Sequence, residues 1–90
     1  MTIEFETPYG KISEKLVGFL RTELIGLSHT FKNITKAEVK LKEDENIIPS
    51  ENKICKIKLN VVGDNLIAYA RAENFAKAAR DAIKDLNRKI

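Results

Sequence analysis

Between Cys55 and Val61, the apolar Cys55, Ile57, Leu59 and Val61 alternate without a break with Lys56, Lys58 and Asn60. Side chains on a strand point to opposite faces in turn, so a period of two suits a half-buried strand and no helix. Gly63-Asp64-Asn65 follows, which is turn chemistry, and then the run from Leu66 to Ala72. Together they predict a β-hairpin. A lone hairpin is barely stable in water, so the rest of the chain must cover its apolar face.

The other segments can do so. Thr2 to Glu6 places Ile3 and Phe5 on one side and acids on the other, a short strand. Thr7-Pro8-Tyr9-Gly10 breaks it, since proline and glycine punctuate turns. Ser13 can cap a helix with Glu14 in its first turn, and Leu16, Leu20, Leu24 and Leu27 recur at helical spacing, with Phe19 widening the stripe. The expected helix runs from about Ser13 to Ser28. Gly18 and Gly26 each cost it up to ~1 kcal/mol relative to alanine, so packing must hold it. Ala37 to Lys42 alternates as another strand, and a polar connection containing Pro49 spans Glu43 to Asn52. Asn74 can cap a second helix whose stripe is Phe75, Ala79, Ala82, Ile83, Leu86 and Ile90.

The order is β-α-β-β-β-α. Two helices and four strands with one apolar face each form a two-layer α+β sandwich, with a four-stranded sheet and both helices on one face. Ninety residues suit one domain, spanning 1–90, with a single core. No apolar run approaches the roughly 20 residues of a spanning helix. The start, Met1-Thr2-Ile3-Glu4-Phe5-Glu6, lacks the basic and apolar pattern of a signal peptide, and Cys55 is the only cysteine. A cytoplasmic location is expected, with no membrane partner.

Chemistry is hard to assemble from these residues. The single histidine, His29, follows the predicted helix end, where it complements the helix dipole. Cys55 falls on the inward face of its strand and reads as a buried thiol. One His and one Cys cannot build the usual zinc site, and Glu43-Asp44-Glu45 lacks the glycine and spacing of a calcium loop. There is no glycine-rich phosphate loop. No catalytic residue, metal, cofactor or small-molecule substrate is expected.

The cations are more informative. The formal charge is +3, and residues 75–90 hold Lys77, Arg80, Lys84, Arg88 and Lys89 against Asp81 and Asp85. That segment carries the whole excess, because eleven bases and eleven acids remain elsewhere. Arg80, Lys84 and Arg88 lie at i, i+4 and i+8, opposite the apolar stripe, while Asp81 and Asp85 in the next row can pair with Lys77, Lys84 or Lys89. A solvated helix face gives the same pattern. Lys40, Lys42, Lys56 and Lys58 point away from the apolar positions of their strands. On the last strand either Leu66, Ala68 and Ala70 or Ile67, Tyr69 and Arg71 face inward, and because small alanines pack well beneath a helix the first is favoured, with Tyr69 and Arg71 outward. An aromatic among lysines on an open sheet suits a nucleic-acid backbone and a stacked base. Lysines on exposed strands also deter unwanted strand pairing.

The last third of the chain resembles a known family. Leu59-Asn60-Val61-Val62-Gly63-Asp64-Asn65-Leu66-Ile67-Ala68-Tyr69-Ala70-Arg71-Ala72 is similar to the strand-turn-strand of ribosome hibernation promoting factors, the sigma-54 modulation proteins. Glu73-Asn74-Phe75, Ala78-Ala79 and Leu86-Asn87-Arg88 stand at the family's second-helix positions. Upstream, Ile12-Ser13 resembles its first helix start, and Ala37 to Leu41 its second strand. The resemblance implies the family's β-α-β-β-β-α domain, without the C-terminal dimerisation domain of long members. It implies a translation regulator of starvation and stress, bound to the small ribosomal subunit through 16S rRNA. The helix and sheet residues read above, Lys77, Arg80, Lys84, Arg88, Lys89, Lys56, Lys58, Tyr69 and Arg71, are the expected RNA contacts, and of these Arg88 sits on a basic family position. Glu23, Gly26 and His29 stand where several members have Arg or Lys, and Asp85 replaces a common lysine. Each lost phosphate contact weakens binding. The alternative is a protein-interaction or regulatory module that keeps the fold without strong RNA affinity.

Overall fold

The computed structural model describes residues 1–7 and 13–90. The expected turn at Pro8-Tyr9-Gly10 and the matched Ile12 lie outside the described residues. The elements are β1 (Thr2–Glu6), α1 (Glu14–Thr30), β2 (Ile34–Glu43), a 3-10 turn (Pro49–Glu51), β3 (Lys53–Val61), β4 (Asp64–Ala72) and α2 (Phe75–Lys89). The order and the two-layer arrangement are those expected from the sequence.

The sheet is ordered β1-β2-β3-β4. β1 pairs parallel to β2, with α1 as the crossover that parallel neighbours require. β2–β3 and β3–β4 are antiparallel. The hairpin closes with Val61 opposite Asp64, so Val62 and Gly63 form the turn rather than Gly63-Asp64-Asn65. Gly63 takes φ 94°, which a side chain would resist, and this frees Asp64 and Asn65 to join the strand. β2 begins three residues earlier than its clean alternation. A register shift between Ile34 and Lys36 disrupts the period there, and the Thr35 hydroxyl donates to the Asn60 carbonyl at 3.2 Å.

Alternation decides what each strand buries. Ala37, Val39, Leu41, Cys55, Ile57, Leu59, Ala68 and Ala72 face a core completed by Leu20 and Leu24 of α1 and Ala78, Ala79, Ala82, Ile83 and Leu86 of α2. Each fully buried leucine stabilises the fold by roughly 1.5–3 kcal/mol. α2 lies over β3 and β4, and both layers contribute buried alanines to the core there. α1 shares that face toward the β1 edge, where the Arg21 guanidinium sits 5.6 Å from the centroid of the Phe5 ring. Burial pushes the Cys55 thiol up to about 12, so it stays protonated and unreactive. His29 belongs to the last turn of α1 rather than following it, because the helix runs on to Thr30.

Candidate nucleic-acid interface

The expected RNA contacts fall on two opposite sides of the molecule. α2 covers the inner face of the sheet, and its solvent side carries Lys77, Arg80, Lys84 and Arg88, all exposed. Their helical spacing places them behind the buried stripe of Ala78, Ala82 and Leu86. Among the described residues none of the four has an acidic partner within ion-pair distance. Lys56, Lys58, Tyr69 and Arg71 lie beyond the sheet, on the face that no helix covers. No single flat surface can meet both sets.

Lys89 stands apart from its neighbours. Its ammonium donates to the Ile67 carbonyl at 2.6 Å and pairs with Asp85 at 3.2 Å. Asp85 in turn accepts from the Tyr69 backbone N–H at 3.3 Å. β4 is an end strand, and these two side chains occupy outward-pointing backbone groups that its pairing with β3 leaves over. The ammonium of Lys89 and the N–H of Tyr69 hold the Asp85 carboxyl below the usual carboxylate range. The sequence allowed the Asp85–Lys89 pair as an i, i+4 interaction. It could not show the attachment to β4, which depends on the strand over which the helix lies. Since Lys89 and Asp85 balance each other, the stripe of four keeps its charge.

On the open face, register orders the charges in rows. Glu4, Glu38, Lys58 and Ile67 form one row across the four strands, and Glu6, Lys40, Lys56 and Tyr69 the next. Lys42, Ile54 and Arg71 form a third. The acids gather at the β1 side. Lys36 meets Glu4 at 3.2 Å and Glu38 at 3.3 Å, Lys40 meets Glu6 at 3.6 Å, and Lys58 meets Glu38 at 4.0 Å. Bonding to Glu4 and then Glu38 raises the Lys36 pKa above its ordinary value. Of the open-face cations, Lys42, Lys56 and Arg71 have no ion pair among the described residues. The lysines that look alike in the sequence therefore differ, because β1 brings Glu4 and Glu6 to Lys36 and Lys40, and β2 brings Glu38 to Lys58.

Tyr69 is 48% exposed and Ile67 is 43% exposed, two residues apart on β4. Ala68 and Ala72 beside them are buried, as the expected packing of small residues beneath a helix requires. Ile54 shares the open face by parity yet is only 5% exposed. The connection from Asp44 to Asn52 closes at that corner through the Asp44 N–H to Asn52 carbonyl bond of 3.0 Å, and its 3-10 turn touches β4. A shallow depression of about 270 Å³ results, lined by Lys40, Lys42, Asp44, Ile54, Lys56 and Tyr69. Sequence alternation alone gave no sign of it. No group of three or more His, Cys, Asp or Glu among the described residues is placed to hold a metal. No helix among them is long and apolar enough to cross a membrane.

The family described as sigma 54 modulation protein / S30EA ribosomal protein matches residues 5–90, nearly the whole chain. The chain belongs to that family. Among solved structures, the fold is similar to a ribosomal subunit interface protein from Coxiella burnetii, with a TM-score of 0.81 and 17% identity, covering 99% of this chain and 92% of that one. It is also similar to the N-terminal domain of Protein Y from Thermus thermophilus, with a TM-score of 0.78 and 14% identity, covering 99% and 94%. At such identities the likeness concerns the fold. No curated protein sequence matches the chain. The sigma 54 modulation family membership bears out the resemblance seen in the hairpin and second helix.

Proposed function

We propose that this family member is a cytoplasmic, ribosome-associated translation regulator of the hibernation type, which binds the small ribosomal subunit through contacts to 16S rRNA. The observation that carries the reading is the α2 stripe of Lys77, Arg80, Lys84 and Arg88, exposed and unpaired among the described residues. Four cations along one rigid helix form a line that can follow a phosphate backbone, and each phosphate neutralised releases condensed counterions. α2 is suited to hold them in place. Asn74 caps it by accepting from the Lys77 N–H at 2.8 Å, and Asp85 and Lys89 fix its far end to β4. The stripe is thus presented by a helix anchored at both ends.

Co-sedimentation of the purified protein with small ribosomal subunits across a salt series tests this. Binding should weaken steeply as salt rises, and the triple variant Arg80→Glu, Lys84→Glu, Arg88→Glu should lose it while keeping a wild-type circular dichroism spectrum. Full binding by that variant would remove α2 from the interface. An absence of binding even at low salt would retire the ribosome and favour a protein partner, for which the mostly uncharged outer side of α1, bearing Gly18, Thr22, Ile25 and Gly26, is the natural surface.

A further inference from the structure

The open face of the sheet offers a second contact, chemically unlike the helix. Across β1 and β2 its outward positions hold Glu4, Glu6 and Glu38 against Lys36, Lys40 and Lys42, a balance of three and three. Across β3 and β4 they hold Lys56, Lys58 and Arg71 and no acid. Within that positive half Ile67 and Tyr69 stand side by side and well exposed, with Lys56 directly opposite Tyr69. Directly opposed residues have Cβ atoms about 4.5–5.5 Å apart, and same-face neighbours along a strand are about 7 Å apart. Lys56 and Arg71 therefore flank Tyr69 on the same face, and the depression beside it is lined by Lys40, Lys42 and Asp44 as well as Lys56.

We propose that the β3–β4 half of the open face binds an unpaired segment of RNA, with Tyr69 stacking on one exposed base and Lys42, Lys56 and Arg71 holding flanking phosphates. This deepens the RNA reading given above and rests on it. A flat aromatic and aliphatic pair rimmed by unpaired cations is the composition of a single-strand platform, since every base has a π-face and every nucleotide a phosphate. A duplex keeps its bases stacked inside and could not use the ring. An extended peptide fits less well. It would gain most by adding a strand beside β4, and Asp85 and Lys89 already occupy the Tyr69 N–H and the Ile67 carbonyl on that edge. Because α2 lies on the other side of the sheet, the two sites can be filled together. The domain would then sit between two RNA elements.

The test is an NMR titration of the full ¹⁵N-labelled chain with a single-stranded oligouridylate at near-physiological salt, where screening confines charge effects to roughly 8 Å. Shifts should gather at Lys42, Lys56 and Ile67 to Arg71. Tyr69→Ala should weaken binding about tenfold, the size expected for one stacked base, and Tyr69→Phe should leave it unchanged. Shifts confined to α2, or wild-type affinity in Tyr69→Ala, would overturn the sheet site and leave the ribosome reading standing. Loss of affinity in Tyr69→Phe equal to that in Tyr69→Ala would also overturn it, since the hydroxyl and not the ring would be the contact. Sheet-face shifts from a protein that never sediments with subunits would uphold this site while removing the ribosome.

Discussion

The two helices share one core yet are held in different ways. α1 has 17 residues, two glycines in its interior, and a capping position at Ser13 whose side chain makes no capping bond. Its stripe of leucines does almost all the work, with Leu20 and Leu24 wholly buried. α2 has 15 residues, a capped start at Asn74, three alanines pressed to the sheet, and a far end bonded to β4. Local signals and tertiary contacts agree along α2, and in α1 packing overrides weak local preference. The cations lie on the helix that is specified at every level, which suits a surface that must hold its charges at fixed spacing.

Four measurements test this contrast. The largest effect should come from Leu24→Ala, which removes buried side-chain volume from the helix that depends on packing; a loss of about 2–5 kcal/mol in urea unfolding is expected. A loss below about 1 kcal/mol would mean that α1 has support beyond its stripe. Next, Asn74→Ala should cost about 1 kcal/mol through the lost cap, while Ser13→Ala should cost almost nothing. Equal costs at the two ends would erase the distinction in capping.

Gly18→Ala and Gly26→Ala should each raise stability by about 0.5–1 kcal/mol, because a methyl at either meets no described atom within 4 Å. If either destabilises, α1 uses its glycines for something other than helix formation. The smallest effect should appear in acid. Asp85 binds its proton less readily when folded, so its contribution is complete above the ordinary carboxylate value of about 3.9 and fades as pH falls below it. The acid-unfolding curve of Asp85→Asn should accordingly be flatter than wild type below that pH and follow the same course above pH 5.

Much of this was legible in the sequence, and the rest failed for identifiable reasons. Strict alternation from Cys55 to Val61 and the alanine and leucine stripe of α2 are local patterns, so the hairpin, the second helix and the outward Tyr69 could be read directly. The start of β2 could not, because the irregularity near Thr35 breaks the period that reveals a strand. The candidate surface was legible as composition and illegible as geometry. Lys58 and Lys56 are equivalent in the sequence, and only strand order shows that Glu38 answers one of them. Lys89 looked like one more cation on a basic helix until the position of β4 gave it a carbonyl to bind.

The bond between Asp85 and the Tyr69 amide also has a kinetic meaning. An amide on the outer edge of an end strand ordinarily trades its hydrogen with solvent freely, because nothing covers it. Here an α2 side chain covers that hydrogen, and exchange waits on the Asp85 carboxylate turning aside. Deuterium uptake at this one position therefore reports how firmly the Asp85 contact is made. The carboxylate that steadies the end of α2 also holds the Tyr69 amide, so the basic helix and the strand bearing the tyrosine are tied at one point.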